Sequence, residues 1–378
     1  MSFVLTEDQQ MLRDTAMSFM RDELPVSRLR KLRDEGANGV DAEARSKLAE
    51  LGLFGVLVPE AHGGSEFGMV GMGQIMEAQG RTLAATPLLQ TGVIGASMLT
   101  LGGNGEQQGE WLAKIATGEI TTALALDEGT HHAPYNVATE AMSNGQGYTL
   151  SGAKRFVPSG QFADLFLVVA RTFGEAGDKH GLTVFLVPSD ANGLSVQALK
   201  TLDSHGAAHL TLENVNVSAT HVLGPVDEAH TLLEPVLDRA RIALAAEMLG
   251  SASAAFEMTL EYLQTRKQFG QLIGSFQGLQ HRAAIMFTEL ELTRSAVAAA
   301  LTAVDENRDD VALLASLAKA MAGEALHAVT NETVQMHGGI GMTDDHEAGF
   351  FLKRARVAEA LYGGEGFHKD RYARLKGF

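Results

Sequence analysis

The stretch TRKQFGQLIGSFQGLQH, Thr265 to His281, decides how the whole chain is read. It follows a long run from Leu232 in which apolar residues recur at three and four, so Arg266 and Lys267 stand where a helix gives way to a glycine-containing turn. Cations in that place can satisfy the last helical carbonyls and complement the helix dipole with no further role. Read locally, the stretch is a helix end, a turn, and the approach to a second helical run that begins near Gly278.

Two other regions precede this one. Over residues 1–117 the period is helical: EDQQMLRDTAMSFMRDEL (7–24) repeats apolar residues at three and four, and DAEARSKLAELGLFGVLV (41–58) reads as a helix ending near Gly52. GMVGMGQIMEAQGRTL (68–83) and TPLLQTGVIGASMLTLGG (86–103) fit two further helices. Over 118–225 the period drops to two, as in AHLTLENVNV (208–217). The short β-rich runs TTALAL, DLFLVVART and GLTVFLVPS are separated there by Gly, Asn, Asp and Pro. From 226 to 378 the helices are long and apolar on more than one face, as expected of a bundle that also packs on other subunits. The fold class is therefore α+β: an N-terminal helical domain (1–117), a middle antiparallel, barrel-like β-domain (118–225) and a C-terminal helical bundle (226–378).

Composition removes several functions. A chain of 378 residues, 45% hydrophobic, has apolar material for two or three domains. No run of about 18 apolar residues appears, and the acid-containing start carries no signal segment, so no membrane span and a cytoplasmic protein are expected. Without cysteine there is no disulfide, thiolate metal site or Cys nucleophile. A net charge of -16 argues against nucleic-acid binding, because a polyanion needs a basic face. QMHGGIGMTDDHE, Gln335 to Glu347, could be a metal site, a phosphate loop or a turn. A phosphate loop needs its glycines between a strand and a helix, which neither this stretch nor GGNGEQQG (102–109) provides. His131 with His132, and His337 with His346, lack the spacing of a zinc hydrolase, so no metal is expected. No Gly-x-Ser-x-Gly elbow is present.

Taken with the order of the three regions, Arg266-Lys267-x-Phe269-Gly270 followed by Phe276-Gln277 resembles the acyl-CoA dehydrogenase family. LAELGLFGVLVPEAHGGSEFGM (48–69), YTLSGAKRFVPSGQFADLFLVVART (148–172) and VQMHGGIGMT (334–343) extend the resemblance over nearly the whole chain. It implies FAD lying between the β-domain and the C-terminal helices, held partly by a neighbouring subunit. By that similarity Arg266 would clamp the pyrophosphate, Phe269 would pack on the cofactor, and Gln277 would belong to the same shell. Gln335, Gly338 and Gly339 match a stretch whose backbone approaches the phosphate and ribitol side, where a Cβ would obstruct contact. Phe156 and Ser159, in KRFVPSG (154–160), match the segment along the flavin ring. The sequence departs from the family at Pro158, where Thr or Ser is usual, and at Leu126 to Asn136, which follows the usual flavin- and thioester-contacting segment only loosely.

The resemblance implies α,β-desaturation of an acyl-CoA thioester: a carboxylate removes the α-proton, a hydride leaves the β-carbon for flavin, and electrons pass to an electron-transfer flavoprotein. Such a base needs a raised pKa. Relatives carry it in a C-terminal segment that corresponds to Tyr362 or Gly363 here, or just before the arginine that matches Arg241, where this chain has Ala240. Two other acids are candidates. Glu247 lies in the apolar helical run ALAAEMLG, which would desolvate it, although a salt bridge to an arginine on another helix would explain it equally. Glu365 lies in a Gly-rich segment just past the first usual position. If neither serves, the resemblance implies either the non-catalytic partner in a heteromeric enzyme, of the kind that acts on CoA esters of steroid or other bulky side chains, or a member that has lost the activity. The assembly expected is a homotetramer or a heterotetramer with a related subunit. The histidines and acids of 335–347 are then expected mostly at interfaces and the surface.

Overall fold

The computed structural model describes residues 4–36 and 42–378. In chain order it contains helices α1 (Glu7–Glu23), α2 (Val26–Asp34), α3 (Ala42–Glu50), α4 (Gly68–Thr82), α5 (Ala96–Gly102) and α6 (Gly105–Ala116). Strands follow: β1 (Thr122–Ala125), β2 (Glu140–Ser143), β3 (Gly147–Pro158), β4 (Leu165–Arg171), β5 (Leu182–Pro188), β6 (Leu194–Leu199), β7 (Ala207–Ser218) and β8 (Val222–Leu223). Helix α7 (His230–Thr265), a hairpin of β9 (Lys267–Gln268) and β10 (Gln271–Leu272), and helices α8 (Gln277–Asp305), α9 (Val311–His337), α10 (Ala348–Ala360) and α11 (Glu365–Leu375) complete the chain. Asp41, the expected start of the helix in 41–58, lies outside the described residues. Two compact units interleave along the sequence. One comprises Met1–Glu35, Met69–Ala84 and Arg241–Phe378, the other Gly36–Gly68 and Ala85–Ala240.

The second unit is built on one eight-stranded sheet of order β6-β7-β3-β2-β4-β5-β8, with β1 beside β4. Pairing is antiparallel, as expected, for β2 with β3, β3 with β7, β4 with β5, β5 with β8 and β6 with β7; it departs from that expectation where β1 runs parallel to β4, as does β2 at its single paired residue. Strands β4 and β5 are buried almost throughout, which requires both faces to be covered and explains why LFLVVAR and LTVFLVP read as continuous apolar runs. Strand β7 alternates instead, burying Leu210, Leu212, Val215 and Val217 against Phe166, Val168 and Phe185. The run 86–103, expected as one helix, is a π-helical stretch (Leu89–Gly95) leading into α5. The wider turn fits its neighbour, since the Gln90 carbonyl accepts from the Thr122 hydroxyl (2.9 Å) and a Cβ at Gly95 would stand 2.2 Å from that oxygen.

In the first unit α9 packs against α8, α10 and α11. The segment Val311–Met342 is apolar and long enough to cross a membrane by composition, but half of its most apolar window is buried inside the fold, as in a core helix. Helices α4 and α7 meet backbone to backbone: a Cβ at Gly80 would lie 1.9 Å from the Glu247 carbonyl oxygen, and one at Gly250 would lie 2.0 Å from that of Glu77. Only glycine permits that approach. Asp305, ending α8, accepts from the Met69 and Val70 amides (2.6 and 2.9 Å) and so satisfies two of the unpaired donors at the start of α4.

Candidate functional site

In the helical unit, Glu247 is 2% exposed and Arg354 5%. Arg354 donates to Glu247 Oε1 from Nε (2.9 Å) and Nη2 (2.6 Å), and Gln79 Nε2 donates to Oε2 (3.2 Å). Three helices thus converge on one carboxylate. This is the salt-bridge arrangement weighed above for Glu247, with both oxygens engaged. Glu365, at the first turn of α11, is paired with Lys369 (2.5 Å) and half exposed, and the hydrogen bond from Lys369 holds its carboxyl below the usual range. A depressed pKa makes a weak base.

The loop 361–364, which includes the first position at which the family resemblance would place the base, is held from three helices. Lys319 of α9 donates to the carbonyls of Ala358, Glu359 and Gly363 (3.1, 3.1 and 3.2 Å), while Arg241 Nε and His368 Nε2 donate to the Tyr362 carbonyl (3.2 and 3.1 Å). Tyr362 and Gly363 both take positive φ, 55° and 108°. A Cβ at Gly363 would meet the Phe367 ring at 2.4 Å and His368 Nε2 at 2.9 Å, so a carboxylate side chain has no room at that position. Lys319, His368 and Arg354 escaped the sequence reading, and Arg241 entered it only as the neighbour of Ala240. A lysine inside the apolar run LASLAKAMAGEAL was the available signal, because an unpartnered ammonium there would be costly.

Burial pushes the Lys319 ammonium down to about 7, opposed by Glu359 and reinforced by Arg241 and Arg354. The ordinary value of 10.5 applies in the unfolded chain, so between the two the unfolded state binds more protons and stability rises with pH. Urea unfolding at about pH 7 and about pH 10 should show wild type gaining on Lys319→Met over that interval. Parallel curves would refute the assignment.

The hairpin after α7 presents Arg266 and Phe269. Among the described residues the Arg266 guanidinium makes no ion pair, and it is exposed. Phe269 sits at φ 52° and is 92% exposed, with its ring 6.2 Å from that of Phe276. Gln277 opens α8 and is exposed. Gln335, Gly338 and Gly339 at the end of α9 are exposed too; Gly338 takes φ 63°, and a Cβ at either glycine would meet nothing within 4 Å. An unpaired cation, a bare aromatic and open backbone fit a phosphate-bearing nucleotide. Among the neighbouring histidines the expectation of a surface position needs correction at His337. His337 is buried: Nδ1 donates to the Thr333 carbonyl (2.7 Å), and the ring stacks on Tyr262 and lies against His346. Asp344 is clamped by both Nη atoms of Arg33 (2.6 and 2.7 Å), which ties the stretch to α2.

In the sheet unit, Phe156 and Ser159 lie at the end of β3, both at positive φ (49° and 57°). The Phe156 amide donates to His209 Nδ1 (3.1 Å), and the Phe156 ring is partly exposed. The segment from Leu126 is cross-braced. Asp127 holds His132 Nδ1 (2.9 Å) and the Ala133 amide, while Glu128 takes the Ala138 and Thr139 amides and the fully buried Lys154 ammonium (2.6 Å). Lys154 also donates to the Leu126 carbonyl (3.2 Å). Desolvation brings Lys154 down to about 8.

Three family models match in order: acyl-CoA dehydrogenase N-terminal domain over residues 6–119, middle domain over 125–215 and C-terminal domain over 231–375. The chain is 31% identical to the probable acyl-CoA dehydrogenase YngJ of Bacillus subtilis, covering 97% of this chain and 96% of that one. A chain of the ChsE4-ChsE5 complex from Mycobacterium tuberculosis superposes with TM-score 0.90 at 30% identity, covering 100% and 99%. A chain of a structure described as the Tcur3481-Tcur3483 steroid ACAD superposes with TM-score 0.88 at 32% identity, covering 98% of each.

Proposed function

This chain belongs to the acyl-CoA dehydrogenase family, and from that premise we propose that it serves FAD-dependent α,β-desaturation of an acyl-CoA thioester as one subunit of a heteromeric enzyme. The single observation behind the heteromeric reading is the engagement of Glu247 by Arg354 in a chain whose other two base positions hold Ala240 and the Tyr362-Gly363 pair. The described pairs to ChsE4-ChsE5 and Tcur3481-Tcur3483 support it, and the second of these favours a bulky, ring-containing acyl group. Electrons leave to an electron-transfer flavoprotein.

FAD supplies the hydride acceptor. On this reading Arg266 holds the pyrophosphate, Phe269 covers the nucleotide, and Gln277 and Gln335 offer amides to it. Gly338 and Gly339 let backbone approach, and Phe156 and Ser159 lie along the ring. Lys319, Arg241 and His368 keep loop 361–364 in its positive-φ conformation. A self-sufficient homotetramer using Glu247 as base would require the ion pair with Arg354 to open first. FAD content decides between the readings: the chain purified alone should carry less than one FAD per chain, rising on assembly with a family chain that bears the base. A stable, fully loaded homotetramer would count against the proposal.

A further inference from the structure

We propose that His180, Glu228 and His230 bind a divalent transition-metal ion, with Zn2+ the best match, and that the ion clips the loop before β5 to the start of α7. None of the three has a place in the flavin or base assignments. They come together because backbone bonds join their segments: the Gly181 amide donates to the Asp227 carbonyl (2.7 Å) and the Ala229 amide to that of Leu182 (2.9 Å), flanking a bridge between Leu182 and Glu228. The Thr172 hydroxyl also donates to the Asp227 carboxylate. The frame is therefore set by main chain, and the three side chains project from it.

His180 Nδ1 stands 2.8 and 2.9 Å from the two Glu228 oxygens, and His230 Nδ1 stands 3.3 Å from Oε2. One ligand atom from each residue fits within 4.8 Å of the others, and the imidazole rings meet edge to face at 5.0 Å. In a tetrahedral zinc site with bonds of about 2.0–2.1 Å, ligand atoms lie roughly 3.3 Å apart. The His230–Glu228 separation already has that value, and the His180–Glu228 contact has to open by about half an ångström. Two imidazoles and one carboxylate form a His2Glu set, which leaves a fourth position to water. A plain His–Glu hydrogen bond would account for His180 but not for His230. The Nδ1 of His230 is buried and has no partner of hydrogen-bonding geometry among the described residues, although its side chain is only 17% exposed. A buried nitrogen left without a proton acceptor or donor costs stability, and a metal ion removes that cost. The absence of a helical i, i+4 pair hid the cluster from the sequence, since His180 lies 48 residues from Glu228.

The test uses the full chain without an affinity tag, stripped by a chelator and titrated calorimetrically with Zn2+. One ion per chain is expected, with affinity falling at least about tenfold in His230→Ala and in the isosteric Glu228→Gln, and unchanged in His62→Ala. Co2+ in place of Zn2+ should give the visible absorption of a tetrahedral site, and Zn2+ should raise the Tm of wild type but not of the two variants. Failure to bind one equivalent, or equal affinity in wild type and Glu228→Gln, would overturn the proposal.

Discussion

Arg354→Leu is expected to lower stability by about 3–5 kcal/mol, because it removes both guanidinium hydrogen bonds from the Glu247 carboxylate and leaves that buried charge without its ion-pair partner. The same loss should follow from Glu247→Leu, which strands the guanidinium. Replacing both together should recover most of it, since two apolar side chains of similar volume carry no desolvation penalty. Urea midpoints for the three variants measure this directly. The double variant has a second use. With the fold restored and no carboxylate at 247, an assembled enzyme that still turns over at close to the wild-type rate shows that Glu247 is structural. A loss of several orders of magnitude in the double variant, with intact folding, would make Glu247 the base.

Arg266→Ala should weaken FAD binding by at least about a hundredfold, since two charge-assisted hydrogen bonds to phosphate are worth roughly 1.5–3 kcal/mol each. The apoprotein should unfold at the same temperature as wild type, because the guanidinium is exposed and makes no ion pair among the described residues. Arg266→Lys should restore only part of the affinity, as a point charge cannot reproduce the planar fork. Equilibrium dialysis with FAD reads all three. An apoprotein Tm that falls together with FAD affinity would instead make Arg266 a helix-end cap for α7.

Much of this architecture was legible in the sequence because periodicity records which face is buried. The start of α1 at Glu7, the glycine-poor run of β4 and the alternation of β7 follow from that rule. The π-helical stretch at Leu89 was not legible, because its cause is the fit of Gln90 and Gly95 against Thr122, a contact across 32 residues of sequence. Strand β1 running parallel to β4 escaped for the same reason: pairing partners are fixed by tertiary packing. At the site, motifs marked Arg266, Phe269 and Gly338, whose exposure and backbone geometry suit ligand contact without depending on distant residues. The meaning of Glu247 depended on Arg354, 107 residues away, and no local pattern announces such a pair. Burial alone flagged both a base and a salt bridge, and only the partner distinguishes them.

The most direct test is anaerobic titration of the flavin with a panel of short, long, branched and steroid-derived CoA esters, carried out on this chain alone and on its assembly with a base-bearing family member. Bleaching only in the assembly, and by the bulky esters in preference to the straight short ones, is the predicted result. Full bleaching of this chain by itself, abolished in Glu247→Gln, would contradict the heteromeric reading and return the base to this subunit.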